Sequence, residues 1–519
     1  MSHSLEKDFG CIRTFLWPVH RHECRKLVPL LMMIFLVGFN YSILRCMKDA
    51  VVVTASGAEV LPFIKLWVML PMAVLGTYIF AKLSNHFSQE RVVYIVITAF
   101  LFLFGLFAFV VYPLRDVIHP YESAAYLDML LPEGLRGLVS MYRNWTFTAF
   151  YVISELWGTI VFNVIFWGVA NEVTRISEAR RFYGVLGVSS NIAAIFAGQA
   201  ANYFSQGTVF NPNLPFGKTP WEQTMMLLVL VIATSGVITM AIFRWLNKNV
   251  LNDNEFDEFH HKGKPIQLKK KKKLSLKDSF SFLSNSRYLF FIAVLVVAYN
   301  LTINLVEVVW KDHLRILYPS PSEYSTFMNN LTSITGIIST VMAFFIAIII
   351  DRFGWTWTAL ITPVMMIITG CGFFGFIIFG DAFSGIIAFL GTTPLMLAVY
   401  CGAAQNCFSK AMKYSVFDAT KEMTFIPLDH DYKLKGKAAI DGVGSRLGKS
   451  GGSFIHTGLL LFRGSLTSSV SIVAAILMLV VSFWIHSVYK LGKLFNAKVK
   501  SQGEEAIDVE EPEQVATAT

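Results

Sequence analysis

The sequence predicts an all-α, polytopic membrane protein of twelve transmembrane helices arranged in two six-helix halves. Three observations carry that prediction. Apolar residues fill 54% of the 519 positions and charged ones only 15%, against roughly 25% charge in soluble domains. The apolar residues fall in blocks of about 20, the length that crosses a bilayer core. Short motifs recur at a nearly constant offset between the two halves of the chain.

Taken in order, residues 1–26 form a charged N-terminal segment. Glu6, Lys7, Asp8, Arg13, Arg21, Arg25 and Lys26 interrupt it, and neither the apolar core nor the cleavage site of a signal peptide is present. Spans are expected near 27–44, 60–81, 92–113, 146–170, 182–205 and 224–246, making a first half over 27–246. A polar, basic linker follows at 247–286. The second half, 287–490, has spans expected near 287–310, 325–350, 356–380, 382–408, 438–462 and 468–490. The remainder, 491–519, ends acidic, small and polar and reads as a disordered tail.

Lysine and arginine placement sets the orientation. Arg21, Arg25 and Lys26 precede the first span, Lys269 to Lys273 fill the linker, and Lys490, Lys493, Lys498 and Lys500 follow the last span. All fall on one side when each half has an even number of spans, so both termini are expected in the cytoplasm. The net charge of +9 has this bland explanation, and no nucleic-acid partner is inferred from it. The lysine run is read first as a topology signal, with anionic lipid as an alternative partner. Six scattered cysteines without a C-x-x-C or a histidine cluster give no disulfide framework or zinc site, and no cofactor is expected.

The echoes are specific. Phe39-Asn40-Tyr41-Ser42-Ile43 returns as Tyr299-Asn300-Leu301-Thr302-Ile303, 260 residues on. Lys48-Asp49 returns as Lys311-Asp312, and Glu172-Val173-Thr174-Arg175-Ile176 as Glu422-Met423-Thr424-Phe425-Ile426. Two parallel six-helix repeats are the major-facilitator architecture, and Asp351-Arg352-Phe353-Gly354 resembles the charged turn common in it.

Charge inside a span costs at least about 2.5–3.5 kcal/mol on insertion scales, so such residues face partners, water or substrate. Lys65, Glu155, Glu307, Arg446 and Lys449 lie within expected spans, with structural ion pairing as the alternative reading for each. Arg45, Lys48, Lys311, Lys435 and Lys437 join them at span ends. Such a cation set suits an anionic, phosphate-bearing ligand. The abundant aromatics, 14% of the chain, include rings that can stack on a base, but sequence does not choose among them. Gly448-Lys449-Ser450 imitates a phosphate-binding loop and fails as one: Val443 stands where the motif needs glycine.

At these motifs the chain resembles the ATP/ADP translocases of plastids and obligate intracellular bacteria. The resemblance runs over about residues 9–495 and rests on Phe39 to Arg45, Gly57-Ala58-Glu59 with Pro62-Phe63-Ile64-Lys65, Tyr112-Pro113-Leu114-Arg115-Asp116, Arg143-Asn144-Trp145-Thr146-Phe147, Glu155-Leu156-Trp157-Gly158, Phe166-Trp167-Gly168, Gly391 to Leu397, Ile426-Pro427-Leu428-Asp429, Lys435 to Asp441 and Leu447 to Gly452. It implies import of ATP against ADP by alternating access, with phosphate as a candidate co-substrate. The substrate-binding residues it implies are Lys65, Glu155, Glu307 and Lys437. The cation reading adds Arg45, Lys48, Arg446 and Lys449, and the echo adds Asn40 and Asn300. Cys46-Met47 departs from the more polar pair expected there. A proton-coupled importer of other nucleoside triphosphates is the alternative within transport. A membrane-embedded transferase is the alternative outside it, disfavoured because no compact His/Asp/Glu constellation is visible. A single chain is expected to function alone in a bacterial inner membrane.

Overall fold

The computed structural model describes residues 17–205, 210–251, 286–428, 436–437, 440 and 444–515. The first sixteen residues, the Lys269 to Lys273 run, Asp429, Lys435 and Asp441 lie outside these. The described residues are helical, with no strand among them. The helices that matter below are α1 (Cys24–Ser56), α2 (Val60–His86), α3 (Gln89–Val111), α4 (Tyr121–Leu130), α5 (Arg136–Arg143), α6 (Trp145–Val173), α7 (Ile176–Ser205), α8 (Pro220–Val250), α9 (Arg287–Leu317), α10 (Pro321–Ile378), α11 (Pro394–Met412), α12 (Ser445–Arg463) and α13 (Leu466–Val515).

Ten helical stretches among the described residues are long and apolar enough to cross a membrane, two of them, Pro321–Ile346 and Ile348–Ile378, within α10. The expected tenth and eleventh spans, 382–408 and 438–462, fall outside that count. The tenth does not run unbroken over 382–408. Gly391 takes φ +61°, a conformation that favours glycine, and a new helix starts at Pro394 behind Thr393, whose hydroxyl accepts the Met396 N–H at 3.2 Å. Within the expected 438–462 span, of which 438, 439 and 441–443 lie outside the described residues, a helix runs from Ser445 to Arg463, and its first turns carry Arg446, Gly448, Lys449, Gly451 and Gly452.

Two further boundaries differ from expectation. α1 continues twelve residues past position 44 and takes Arg45, Lys48 and Asp49 into the helix. It ends at Gly57, whose φ of +82° serves a helix terminus. α13 runs on to Val515 through most of the segment expected to be a disordered tail. That segment is rich in Ala, Lys, Glu and Gln, which are strong helix formers as well as solvating residues. α10 is broken at Gly354, φ +73°, the glycine of the expected Asp351 to Gly354 turn.

By contacts the chain forms two compact units. The first comprises Met1–Lys269, Lys311–Phe344 and Leu460–Ser465; the second comprises Lys270–Trp310, Phe345–Leu459 and Leu466–Thr519. The linker is thus not the whole boundary: Lys311 to Phe344, placed by sequence in the second half, packs with the first unit. Polar side chains and glycines make that packing. The Gln199 amide donates to Ser333 Oγ at 3.1 Å and Ser333 Oγ donates to the Ile195 carbonyl at 3.1 Å. A Cβ on Gly198 would lie 2.4 Å from the Asn329 carbonyl oxygen.

The first unit is centred on aromatic rings. Phe107 and Phe150 stack at 4.1 Å, and Phe100 and Phe104 pack on Trp157, whose indole N–H donates to the Val37 carbonyl at 3.3 Å. In the second unit Tyr299 stacks on Phe417 at 4.4 Å with Trp484 edge-on to both. Glycines Gly448 and Gly452 let α12 touch α9; added Cβ atoms would stand 2.8 Å from the Val297 carbonyl oxygen and 2.6 Å from Asn304 Cβ.

Candidate functional site

Four charged side chains in the first unit form one chain of ion pairs. Glu155 Oε1 on α6 lies 2.9 Å from Lys48 Nζ on α1. Lys48 lies 3.0 Å from Asp49 Oδ1, and the other carboxylate oxygen of Asp49 lies 2.9 Å from Lys311 Nζ. Acid and base alternate and the sum is zero. The Lys48 ammonium also sits 3.7 Å from the centre of the Tyr151 ring, where the ring's quadrupole attracts a cation.

Exposure within this chain is uneven. The side chains of Lys48, Asp49 and Lys311 are 2%, 1% and 2% exposed, whereas Glu155 is 29% exposed. Buried charges persist only when paired and hydrogen-bonded, and three members meet that condition away from solvent. Glu155 is the member a solute can reach. Arg45, one turn before Lys48, adds a further positive charge acting on Glu155.

The local backbone singles out the same places. Lys65 lies in a π-helical stretch of α2, Ile64–Met69, and Glu155 stands two residues before a longer one in α6, Trp157–Phe166. Such stretches concentrate at functional sites because they leave backbone groups out of the ordinary ladder. The Asn163 amide donates to the Gly158 carbonyl at 2.8 Å, taking up one of them. Lys65 itself is half-buried.

The other expected residues fall as follows. Asn40 is fully buried and its amide donates to the Ile232 carbonyl at 3.1 Å, a contact between α1 and α8. Asn300 donates to the Val296 carbonyl at 2.8 Å and backs onto Gly448. Both echo residues therefore lie at helix contacts. In the second unit Glu307 is half-buried on α9, Arg446 and Lys449 are exposed on α12, and Lys437 is exposed with its Nζ 2.5 Å from Glu422 Oε2. Lys421 reaches the same carboxylate at 3.4 Å. Within the first unit the structure thus joins Lys48 and Glu155, with Arg45 nearby, and adds Asp49, which the sequence reading did not select. The signal for Asp49 was present in the Lys-Asp echo, but Lys311 pairs with the distant Asp49. Its sequence neighbour Asp312 instead faces Arg315 at 3.8 Å. Among the described residues no His/Cys/Asp/Glu group could hold a metal ion.

Outside the spans, a second polar cluster ties down the segment between α3 and α6. Arg115 Nη1 lies 2.7 Å from Glu222 Oε1 at the start of α8, and Glu222 also accepts the Lys218 N–H. His119 is 5% exposed, with Nε2 2.6 Å from the Thr146 hydroxyl. Burial pushes the His119 pKa below the usual imidazole value, with Arg115 adding to the effect against Asp116. Burial likewise raises Tyr112 to about 12.

Comparison with known proteins places these features. The chain is 47% identical to ADP,ATP carrier protein 1 of Chlamydia pneumoniae, covering 96% of each chain. It is 42% identical to ADP,ATP carrier protein 1, chloroplastic, of Arabidopsis thaliana, covering 91% of this chain and 74% of that one. In fold it resembles a bacterial homologue of the iron transporter ferroportin, with a TM-score of 0.53 at 12% identity over 91% of this chain and 100% of the other. It also resembles a POT family transporter, with a TM-score of 0.52 at 9% identity over 90% and 96%. Those two likenesses concern architecture alone, which is major-facilitator-like. A match to the family described as TLC ATP/ADP transporter extends over residues 2–495, and the chain belongs to that family of transporters.

Proposed function

We propose that this chain exchanges ATP for ADP by alternating access, as a single polypeptide in a bacterial inner membrane with both termini in the cytoplasm. Phosphate travels with ADP in this reading. Family membership supports the substrate pair, since the relatives at 42–47% identity are named ADP,ATP carriers. The observation that carries the site is the neutral chain Glu155–Lys48–Asp49–Lys311, sealed except at Glu155.

The geometry suggests how a polyphosphate is received. In the empty protein Glu155 holds Lys48 as a stand-in anion. An arriving phosphate chain competes for Lys48 from the open side, with Arg45 beside it, and releases Glu155 to accept a hydrogen bond from the substrate. Charge-assisted bonds of this kind are about twice as strong as neutral ones. Lys65, in its π-helical stretch, supplies a further point charge. Glu307, Lys437, Arg446 and Lys449 of the second unit are the remaining proposed contacts, Lys437 by leaving Glu422. Asn40 and Asn300 hold the helices that carry these groups.

Reconstitution tests the reading. Liposomes preloaded with ADP and phosphate are expected to take up labelled ATP, empty ones are not, and an uncoupler is expected to leave the exchange intact. Lys48→Ala and Glu155→Gln are each expected to lower exchange roughly tenfold to a hundredfold, the cost of about 1.5–3 kcal/mol in charged hydrogen bonding. Uptake that ignores internal nucleotide, or that collapses with the uncoupler, would overturn exchange in favour of proton-coupled import.

A further inference from the structure

Tyr41 and Phe162 meet where α1 packs on α6, their ring centres 6.1 Å apart and their planes tilted by 32°. Tyr41, Arg45 and Lys48 stand at i, i+4 and i+7, one face of α1. On α6, Glu155 meets Lys48 of α1, and Gly158 and Phe162 meet Tyr41 of the same helix. The two faces that carry the candidate charges are thus also the faces that carry these two rings. A face bearing Arg45, Lys48 and Glu155 is not one that hydrocarbon tolerates.

Two features set this pair apart from the packed aromatics of the same unit. Phe104, Phe150, Tyr151 and Trp157 are sealed at 2% exposure or less, whereas Tyr41 and Phe162 are half-buried. The backbone beneath Tyr41 is also shaped to it. A Cβ on Gly158 would lie 2.5 Å from Tyr41 Cε2 and 2.9 Å from Cδ2, so only glycine lets the ring rest directly on α6. The π-helical stretch begins at Trp157, and Asn163 satisfies the Gly158 carbonyl, holding the backbone under the ring in place.

We propose that Tyr41, braced by Gly158 and flanked by Phe162, is the platform on which the nucleotide's purine ring stacks. This rests on the nucleotide-exchange reading above and adds what recognises the base. Seven residues of α1 separate Tyr41 from Lys48, about 10 Å along the helix axis. One helix face therefore offers a ring at one end and cations at the other, matching a ligand that is flat at one end and anionic at the other. Bases of every kind stack on aromatic rings, and a purine offers more ring surface than a pyrimidine. The platform therefore favours ATP over UTP without any hydrogen bond to the base.

The test uses the full chain in liposomes, with the half-saturation concentration for ATP and the relative inhibition by unlabelled ATP and UTP as readouts. Tyr41→Leu keeps apolar volume and removes the ring; it is expected to raise half-saturation about tenfold, the equivalent of about 1.4 kcal/mol, and to flatten the ATP-over-UTP preference. Tyr41→Phe is expected to restore most of both. Gly158→Ala, which pushes the ring from its seat, is expected to act in the direction of Tyr41→Leu. An unchanged half-saturation and an unchanged ATP-to-UTP ratio in Tyr41→Leu would overturn the platform. If exchange by Tyr41→Leu is too slow to measure, equilibrium ATP binding to the purified protein decides, and wild-type affinity there overturns it too. Wild-type protein that exchanges no nucleotide would instead refute the parent reading, so the two failures are distinguishable.

Discussion

Removing the charge of Asp49 takes an anionic partner from two buried ammonium groups at once, because Lys311 and Lys48, the latter keeping Glu155, both bond to it at 3.0 Å or less. Breaking a buried ion pair by deleting one partner costs about 3–5 kcal/mol. Asp49→Asn is therefore expected to lower the melting temperature of the purified protein markedly. Asp49→Asn combined with Lys311→Met, which also removes the ammonium facing the new amide, is expected to recover part of the loss. Equal melting of wild type and Asp49→Asn would show that water reaches the cluster. His119 yields a prediction of a different kind. Its folded pKa lies below the unfolded value because burial favours the neutral ring, so its contribution is full above pH about 6.5. That contribution is lost as pH falls through the unfolded value towards the folded one. Melting measured from pH 7.5 to 5 is expected to decline, and the decline is expected to shrink in His119→Gln; identical slopes would remove His119 as the cause. At this scale the sequence exposed Glu155 through the cost of charge in a span, and Lys48 and Lys311 as cations at span ends. It could not pair them, because Asp49 and Lys311 are neighbours only after folding.

Helices were the most legible level, because an apolar block of span length has few alternatives in a bilayer. Their ends were less so. Hydropathy alone stopped α1 near Leu44, since Arg45, Lys48 and Asp49 read as interface; mutual neutralisation carries the helix on to Ser56. In the opposite sense, hydropathy ran through Gly391 to Thr393, where the Thr-Pro start of α11 was a local signal of a new helix. The π-helical stretches beside Lys65 and Glu155 left no trace in periodicity, since a single added residue per turn resembles noise in a uniformly apolar run. Helix contacts at glycine lend themselves to direct test. A Cβ on Gly198 would come 2.4 Å from the Asn329 carbonyl oxygen and 3.0 Å from the Ser333 nitrogen, and backbone cannot move aside as a side chain can. Gly198→Val is expected to destabilise by about 1–3 kcal/mol, the usual cost of overpacking. Gly187→Val, whose added Cβ meets nothing within 4 Å, serves as the control on the same helix. Equal melting of the two variants would mean that α7 and the Asn329–Ser333 turn of α10 separate at little cost.

For the whole molecule, the decisive quantity is the charge moved per cycle. ATP carries about one negative charge more than ADP, so their bare exchange transfers charge across the membrane, at about 2.3 kcal/mol per charge for each 100 mV. A cavity whose cations are tuned to one load serves both directions equally only if the returning load matches it, and a singly charged phosphate beside ADP makes the match. The four side chains Glu155, Lys48, Asp49 and Lys311 sum to zero charge, so this group adds no net charge of its own to that of the substrate. Exchange of external ATP for internal ADP plus phosphate is therefore expected to proceed at the same rate with and without an imposed potassium-diffusion potential. With phosphate omitted from the lumen, the rate is expected to fall and to become sensitive to that potential. A rate that responds to potential equally in both cases would place phosphate outside the transport cycle and leave the difference in charge to be carried by the protein itself.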